Sequence, residues 1–202
     1  MPYTNCDFSP MKERVRVELK HISAAIEQCL NVLNNENDCL LDKLEQIKDH
    51  FLGMQAAAAS YYLHCYLAPY TSKYAEIAIS IQHLSERRHG GLMIIERNDP
   101  VEPLVQPGIP IGAALTHSLL ESIFHPGSPL HDGAVLIRAN TIISAGNILP
   151  LSRNIFGEKK LGTRHRSAIG LSEQCDALVL VVSEETGRVS FALNGELYPV
   201  ST

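Results

Sequence analysis

The feature that most constrains the fold of this chain is a set of three short apolar runs in its second half. They are LMII at 92–95, AVLI at 134–137 and ALVLVV at 177–182. Continuous apolar runs of this length are typical of strands covered on both faces. Between them the patterns predict helices at 116–124 and 164–175, and VSFAL at 189–193 alternates like a half-exposed strand. Strands interleaved with helices predict an α/β fold, a central mixed sheet flanked by helices.

The first third of the chain has a helical periodicity instead. Apolar residues recur at spacings of three and four from Met11 to Leu33 and again from Leu40 to Met54, on either side of the polar run at 34–38. Two amphipathic helices joined by so short a loop predict an antiparallel hairpin. We therefore predict an N-terminal helical domain at 1–68 and an α/β domain at 69–202, whose first helix runs from Ser72 to His89 and stops at Gly90-Gly91. A hairpin alone covers one side of each stripe, so it should dock on the rest of the molecule or on another copy.

Composition narrows the classes of partner. The 202-residue chain carries a net charge of −5, and its isoelectric point is near 6.0. This balance argues against a general nucleic-acid binder and against binding to anionic membranes, since both need a broad excess of Lys and Arg. The five cysteines are scattered and the first residues lack the order of a secretory signal. Reduced thiols and a cytoplasmic protein are the simplest interpretation.

The stretch GTRHRSAIG at 162–170 predicts an anion site. Thr163 is a good N-cap, which would place Arg164, His165 and Arg166 in the first turn of a helix, where acidic side chains are normally favoured. Two guanidinium groups beside a helix N-terminus can bind phosphate oxygens bidentately. A solvated basic surface is the alternative interpretation.

The stretch PLHDGAVLI at 129–137 predicts a second functional position, because His131, Asp132 and Gly133 directly precede a buried strand. An ordinary Asp-Gly turn is the alternative. A free aspartate is a weak base for a sugar hydroxyl at neutral pH, whereas a divalent ion would lower the pKa of the hydroxyl itself. Metal and Asp132 are therefore predicted together.

Two further stretches are weaker signals. VSEETGRV at 182–189 joins two strands and needs no more than a hairpin turn, yet a glutamate there would add an oxygen ligand to the metal site, and Ser183 could reach a phosphate or a base edge. ILPLS at 148–152 is typical of core or a strand end, and it is also an apolar slot of the kind that an adenine ring needs. Sequence alone leaves these alternatives open.

The order HDGA, then GTRHR about thirty residues later, then SEET resembles the diadenylate cyclase family over roughly residues 74–193. The resemblance implies an enzyme that condenses two ATP into cyclic di-AMP and two pyrophosphates with Mg²⁺ or Mn²⁺. It implies that Asp132 and Gly133 contact the ribose and help to activate its 3′-hydroxyl, and that Ser183 contacts a phosphate or the base. It further implies triphosphate contacts by Thr163, Arg164, His165 and Arg166, metal ligation by His131, Asp132 and Glu185, and an adenine contact by Leu149.

The short N-terminal hairpin resembles that of the sporulation-type cyclases of spore-forming bacteria. This likeness implies restraint of activity by the hairpin, catalytic dimers that meet face to face, and a larger homo-oligomer such as a hexamer. The chain departs from some members at Ile148, where an aromatic side chain could stack on the base. Two other classes stay open at this point: a metal-dependent nucleotide hydrolase, and a non-catalytic ATP sensor.

Overall fold

The computed structural model describes residues 9–32, 40–153 and 161–200. The chain falls into two compact units, the first ending at Cys65 and the second beginning at Tyr66. The polar run at 34–38, predicted as a loop, lies outside the described residues. We describe each unit by itself.

The first unit is the predicted helical hairpin. Helix α1 spans Ser9–Val32 and α2 spans Leu40–Leu67. The two helices are antiparallel neighbours: the His50 Nδ1 atom lies 3.8 Å from the Glu18 carboxylate near the middle of both, and Tyr62 faces the start of α1 across a shared cavity. Apolar side chains along both helices remain about half exposed or more, among them Leu19, Ile26, Leu30, Leu41 and Phe51.

The cysteines of the described residues differ in state. Cys29 and Cys175 are free thiols, but Cys65 is disulfide-bonded. The prediction that all the thiols are reduced is therefore wrong at Cys65. Sequence spacing gives no sign of this bond, because tertiary packing rather than spacing brings two thiols within bonding distance.

The described residues of the second unit form seven strands and three helices. The helices are α3 (Tyr74–Arg87), α4 (His117–Ile123) and α5 (Thr163–Ser172), and a 3₁₀ turn covers Glu102–Leu104. The strands are β1 (Gly91–Ile95), β2 (Ile109–Ala114), β3 (Ala134–Arg138), β4 (Thr141–Asn147), β5 (Leu178–Val182), β6 (Val189–Leu193) and β7 (Glu196–Val200). Their spatial order is β2-β4-β3-β1-β5-β6-β7. Strands β1 and β3 are parallel and the other neighbours are antiparallel, so the predicted mixed sheet is confirmed.

Helices cover both faces of the central strands. Leu92 and Ile94 of β1 belong to the same buried cluster as Ala168 and Ile169 of α5. Residues of the opposite parity point to the other face, where the Leu84 side chain of α3 lies beside Gly91. The continuous apolar runs are thus explained by burial on both sides, and β1 and β5 are buried along their whole length.

Three details of the predictions are wrong. The VSFAL strand is buried throughout rather than half exposed, because α5 covers it and Phe191 stacks on Tyr198 of the next strand at a ring separation of 5.1 Å. Helix α3 stops not at Gly90-Gly91 but at Arg88, which adopts the left-handed conformation with φ 54°. Helix α5 is capped by Gly162 rather than by Thr163, and the cap makes no side-chain hydrogen bond.

Candidate functional site

The central feature of the site is that three strand ends lie side by side at one end of the sheet: the starts of β1 and β3 and the end of β5. Strand β1 pairs in parallel with β3 and antiparallel with β5, so that Gly91 at the start of β1 lies opposite Val182 at the end of β5. The segment before β3 carries the HDG residues, and the segment after β5 carries the SEE residues. The topology therefore places these two motifs on either side of the start of β1.

Helix α5 brings the basic cluster to the same end of the sheet. Its first backbone hydrogen bond runs from the Arg166 N–H to the Gly162 carbonyl at 3.1 Å, so the N–H groups of Thr163, Arg164 and His165 have no acceptor within the helix. The Arg164 Nη1 atom donates to the Glu184 carboxylate at 2.8 Å. This ion pair joins the start of α5 to the turn that follows β5.

A cleft of about 390 Å³ opens between these two elements. Its polar walls come from the start of α5 and from the turn after β5: Gly162, Thr163, Arg164, His165, Ser183, Glu184 and Glu185, with Val182 at its base. Free helix N–H groups, a guanidinium and two carboxylates thus face one space. Such a lining suits a phosphate chain that carries a divalent cation.

The HDG segment flanks this cleft rather than lining it. The His131 Nδ1 atom donates to the Ser128 carbonyl at 2.5 Å, which leaves Nε2 as the nitrogen with a free lone pair. Gly133 has φ 108°, and a Cβ atom there would lie 2.7 Å from the Gly146 carbonyl carbon. Position 133 therefore requires glycine for its backbone conformation and for its close packing on β4.

Electrostatic effects link the two halves of the site. The pKa of Glu184 is lowered, first by the hydrogen bond from Arg164 and then by its charge, with further contributions from His131 and His89. The Glu184 carboxylate thus interacts electrostatically with both the basic cluster and the HDG segment. Burial is the largest cause of the lowered pKa of His165, which the nearby Arg164 lowers further and Glu185 raises. His165 is therefore neutral at pH 7 and able to accept or donate a hydrogen bond.

Comparison with known proteins identifies the family. Residues 78–197 match the family described as DisA bacterial checkpoint controller nucleotide-binding, and residues 2–70 match the one described as diadenylate cyclase CdaS, N-terminal. The chain is 51% identical over 195 residues to the diadenylate cyclase CdaS of Bacillus thuringiensis, which covers 95% of this chain and 97% of that protein. It is 46% identical over 200 residues to the cyclic di-AMP synthase CdaS of Bacillus subtilis, covering 99% and 96%. The chain belongs to the diadenylate cyclase family.

Solved structures agree with the assignment. A crystal structure from Bacillus cereus, named a hypothetical membrane spanning protein, is similar with a TM-score of 0.79 and 49% identity over 96% of this chain and 95% of that one. DacA from Staphylococcus aureus is similar with a TM-score of 0.61 and 37% identity over 63% of this chain and 85% of that one. Along residues 9–32, 40–153 and 161–200, we find no helix with the length and apolarity needed to cross a bilayer.

The side chains of the two signature motifs lie in different surroundings. Thr163, Arg164 and His165 line the cleft, whereas Arg166 turns to the segment after β4, where its Nη2 atom donates to the Ser152 carbonyl at 3.3 Å. Asp132 is exposed beside the site. The Ser183 hydroxyl lines the cleft and accepts from the Thr186 N–H at 3.3 Å, within the predicted turn.

The predicted metal ligands are not grouped together, and the predicted adenine contact is largely buried. Among the residues that the structure describes, no three His, Cys, Asp or Glu side chains are grouped to hold a metal. His131, Asp132 and Glu185 therefore do not form a three-ligand site within one chain, and the glutamate that senses His131 is Glu184. Leu149 is 6% exposed and packs in the core, while Ile148 beside it is 58% exposed.

Sequence reasoning missed two residues of this site. Gly90, proposed only as a helix stop, lies against the Arg164 guanidinium. Glu184 lies in the stretch interpreted as a turn that could offer one metal-binding glutamate, but it is the hydrogen-bond partner of Arg164. One signal was available in the sequence. The His89-Gly90 pair comes directly before the buried strand β1, just as the HDG residues come directly before the buried strand β3.

Proposed function

We propose that this chain condenses two ATP molecules into cyclic di-AMP and two pyrophosphates. One observation carries the proposal: the HDG segment precedes β3 and the cleft at the start of α5 adjoins the end of β5, and these two strand ends flank the start of β1. The whole-chain identity to proteins named diadenylate cyclase supports it. ATP is the substrate in this account, and nucleic acids and membranes are not partners.

The residue roles follow from the chemistry of each position. Thr163, Arg164 and His165 hold the triphosphate at the start of α5, with Arg166 supporting that helix turn from the side. Asp132 and Gly133 contact the ribose and help to activate its 3′-hydroxyl. Ser183 contacts a phosphate or the base, and Leu149 supports the adenine from beneath the exposed Ile148.

A divalent ion, Mg²⁺ or Mn²⁺, fits the donors that are present. The His131 Nε2 atom is left free by the bond from Nδ1 to Ser128, and Asp132 and the glutamate pair Glu184-Glu185 offer carboxylate oxygens. Ions of this kind are commonly held by one or two protein ligands together with substrate phosphates, so a complete three-residue set is not needed. When bound, the ion would acidify the 3′-hydroxyl and neutralise phosphate charge.

Ring closure requires two chains. Each holds one ATP, and two copies meet face to face so that each 3′-oxygen attacks the α-phosphorus of the opposite ATP and releases pyrophosphate. Phosphoryl transfer asks a protein mainly for alignment and for stabilisation of charge. Fixing both reactants in a reactive geometry can lower the barrier by about 7–11 kcal/mol.

The N-terminal hairpin is proposed to restrain this meeting of active sites. Its helices keep apolar side chains such as Leu30 and Phe51 exposed, and these would hold copies in a larger homo-oligomer, for which we propose a hexamer. We also propose a cytoplasmic location, where ATP is made, and a role in sporulation by likeness to the CdaS proteins. In this account residues 1–68 are regulatory and 69–202 catalytic.

The proposal is tested by incubating the purified protein with ATP and Mn²⁺ or Mg²⁺ and analysing the nucleotides by mass spectrometry. We expect cyclic di-AMP with two pyrophosphates per ring, and no product from Asp132→Asn. A mononucleotide product would indicate a hydrolase instead. Tight ATP binding without pyrophosphate release would indicate a sensor.

The role of the hairpin needs a separate experiment. Deletion of residues 1–65 is expected to raise the specific activity and to lower the mass of the assembly, because it removes the exposed apolar faces of α1 and α2. Turnover per chain and mass in solution, by light scattering, are the measurements. If both are unchanged, the hairpin does not restrain the enzyme.

A further inference from the structure

The Arg164 side chain is held from two sides, by Glu184 of the SEET stretch and by Gly90, which lies outside the stretches that carry the family resemblance. One guanidinium nitrogen donates to Glu184 at 2.8 Å. On the other side the guanidinium lies over Gly90, so closely that a Cβ atom at position 90 would meet Nη1 at 2.5 Å, Cζ at 2.6 Å and Nη2 at 3.0 Å. We propose that Gly90, together with Glu184, is a positioning residue that orients the Arg164 guanidinium toward the substrate triphosphate.

The conformation of Gly90 does not itself explain why the residue is glycine. Its φ lies outside the positive range in which side chains are strained. An alanine there would be accepted by the backbone, and the atoms that it would displace belong to Arg164. The absence of a side chain at position 90 thus serves the placement of this one guanidinium.

Comparison with other glycines supports this conclusion. Several described glycines leave less than 3.0 Å for a Cβ atom, and at all of them except Gly90 the nearest atom is backbone: Gly108, Gly133, Gly170 and Gly187. Those positions are explained by the packing of the fold. Within the described part of the chain, Gly90 alone gives this room to the end of a functional side chain.

Glu184 completes the arrangement without adding much to the stability of the fold. The side chains of Arg164 and Glu184 are 25% and 63% exposed, and ion pairs this exposed contribute little. The carboxylate uses one of the five N–H donors of the guanidinium. Across the described residues this is the one hydrogen bond of the Arg164 side chain, so the remaining donors are available to phosphate oxygens.

Gly90 lies between the two segments that we propose to contact the substrate. It directly precedes β1, between the HDG segment and the turn after β5. That turn is fixed to the end of α3, since the Ser85 hydroxyl donates to the Gly187 carbonyl at 2.7 Å. Gly90 and Glu184 thus both lie in backbone segments that adjoin the central strands, and the longer arginine side chain is oriented against them.

The inference rests on the proposed function, in which Arg164 binds the triphosphate, and its test separates the two. The probe is 3′-deoxy-ATP with Mn²⁺, which lacks the attacking hydroxyl and cannot condense. Its affinity is measured by calorimetry for the full-length wild type, Gly90→Ala, Arg164→Ala and the double variant. Gly91→Ala is the matched control, because the atoms nearest to a Cβ atom there belong to the Leu84 and Val182 side chains, at 3.2 and 3.7 Å, and not to Arg164.

We expect Gly90→Ala to weaken binding by about 10- to 100-fold, the loss of one charge-assisted interaction, with a melting temperature close to that of the wild type. Gly91→Ala should leave the affinity unchanged. In the Arg164→Ala background the Gly90 change should have no further effect, as expected of a residue that acts through Arg164. Additive losses, or unchanged affinity in Gly90→Ala, would overturn the inference.

The proposed function fails separately. A wild type that binds the probe but makes no cyclic di-AMP from ATP contradicts the cyclase proposal and leaves the positioning result standing on the binding data. A wild type that does not bind the probe contradicts both.

Discussion

Replacing Gly133 with alanine is expected to destabilise the catalytic unit and to abolish activity together. The backbone at this position has φ 108°, and an added Cβ atom would lie 2.7 Å from the Gly146 carbonyl carbon and 2.9 Å from the Asn147 carbonyl oxygen. An unfavourable φ costs about 1–3 kcal/mol, and forced overpacking costs about 1–3 kcal/mol more. We therefore expect a loss of at least about 2 kcal/mol, or roughly 4–8 °C in melting temperature for a chain of this size.

Gly127→Ala is the matched control for this change. Gly127 has a similar φ of 93°, but a Cβ atom there would have no neighbour within 4 Å, so it reports the conformational cost alone. Calorimetric melting and the rate of cyclic di-AMP formation are measured for both variants. The reasoning is refuted if Gly133→Ala melts no lower than Gly127→Ala, or if it retains full activity, because Asp132 would then not depend on the packing of its neighbour.

Other predictions concern titration and packing. Burial lowers the pKa of His165 and the Glu185 carboxylate raises it; NMR titration should find it below 6.5, and Glu185→Gln should lower it further, whereas a rise would contradict the assignment. Because the folded protein holds His165 neutral, its contribution to stability is present above about pH 6.5 and is lost as the pH falls toward the lowered pKa. Asn147→Leu should lower the free energy of unfolding in urea by about 2–6 kcal/mol. It leaves the Ala134 carbonyl and the Gly108 N–H without their hydrogen-bond partner, at a cost of about 1–3 kcal/mol each. A change below about 1 kcal/mol would contradict this. Glu102→Gln should change stability by less than about 1 kcal/mol, because its ion pair with Arg138 is about half exposed, and a larger loss would show that this pair is structural.

The parts of the fold that could be predicted were those with strong local patterns. Strands β1, β3 and β5 can be recognised in the sequence as apolar runs because both of their faces are buried. Strands β2, β4 and β7 were missed. Strand β2, IPIGAA, contains proline and glycine and is an exposed edge strand of the sheet. The burial of β6 was misjudged for a related reason: its alternating residues are covered by elements distant in sequence.

The site shows the same division. The motifs around Asp132 and Arg164 are short and contiguous, so their chemistry can be inferred from residue types alone. The pairing of Arg164 with Glu184 joins positions twenty residues apart, and its contact with Gly90 depends on where α5 packs against the sheet. Such contacts are set by tertiary structure, and no local pattern encodes them.

The most direct test is a crystal structure of the protein with 3′-deoxy-ATP and Mn²⁺. We predict that one nucleotide spans the site, with its phosphates on the Arg164 guanidinium and the first N–H groups of α5, its sugar beside Asp132, and a second copy of the chain facing it. A nucleotide that touches one of these two walls while the other lies beyond its reach would contradict the proposal that they form a single ATP site.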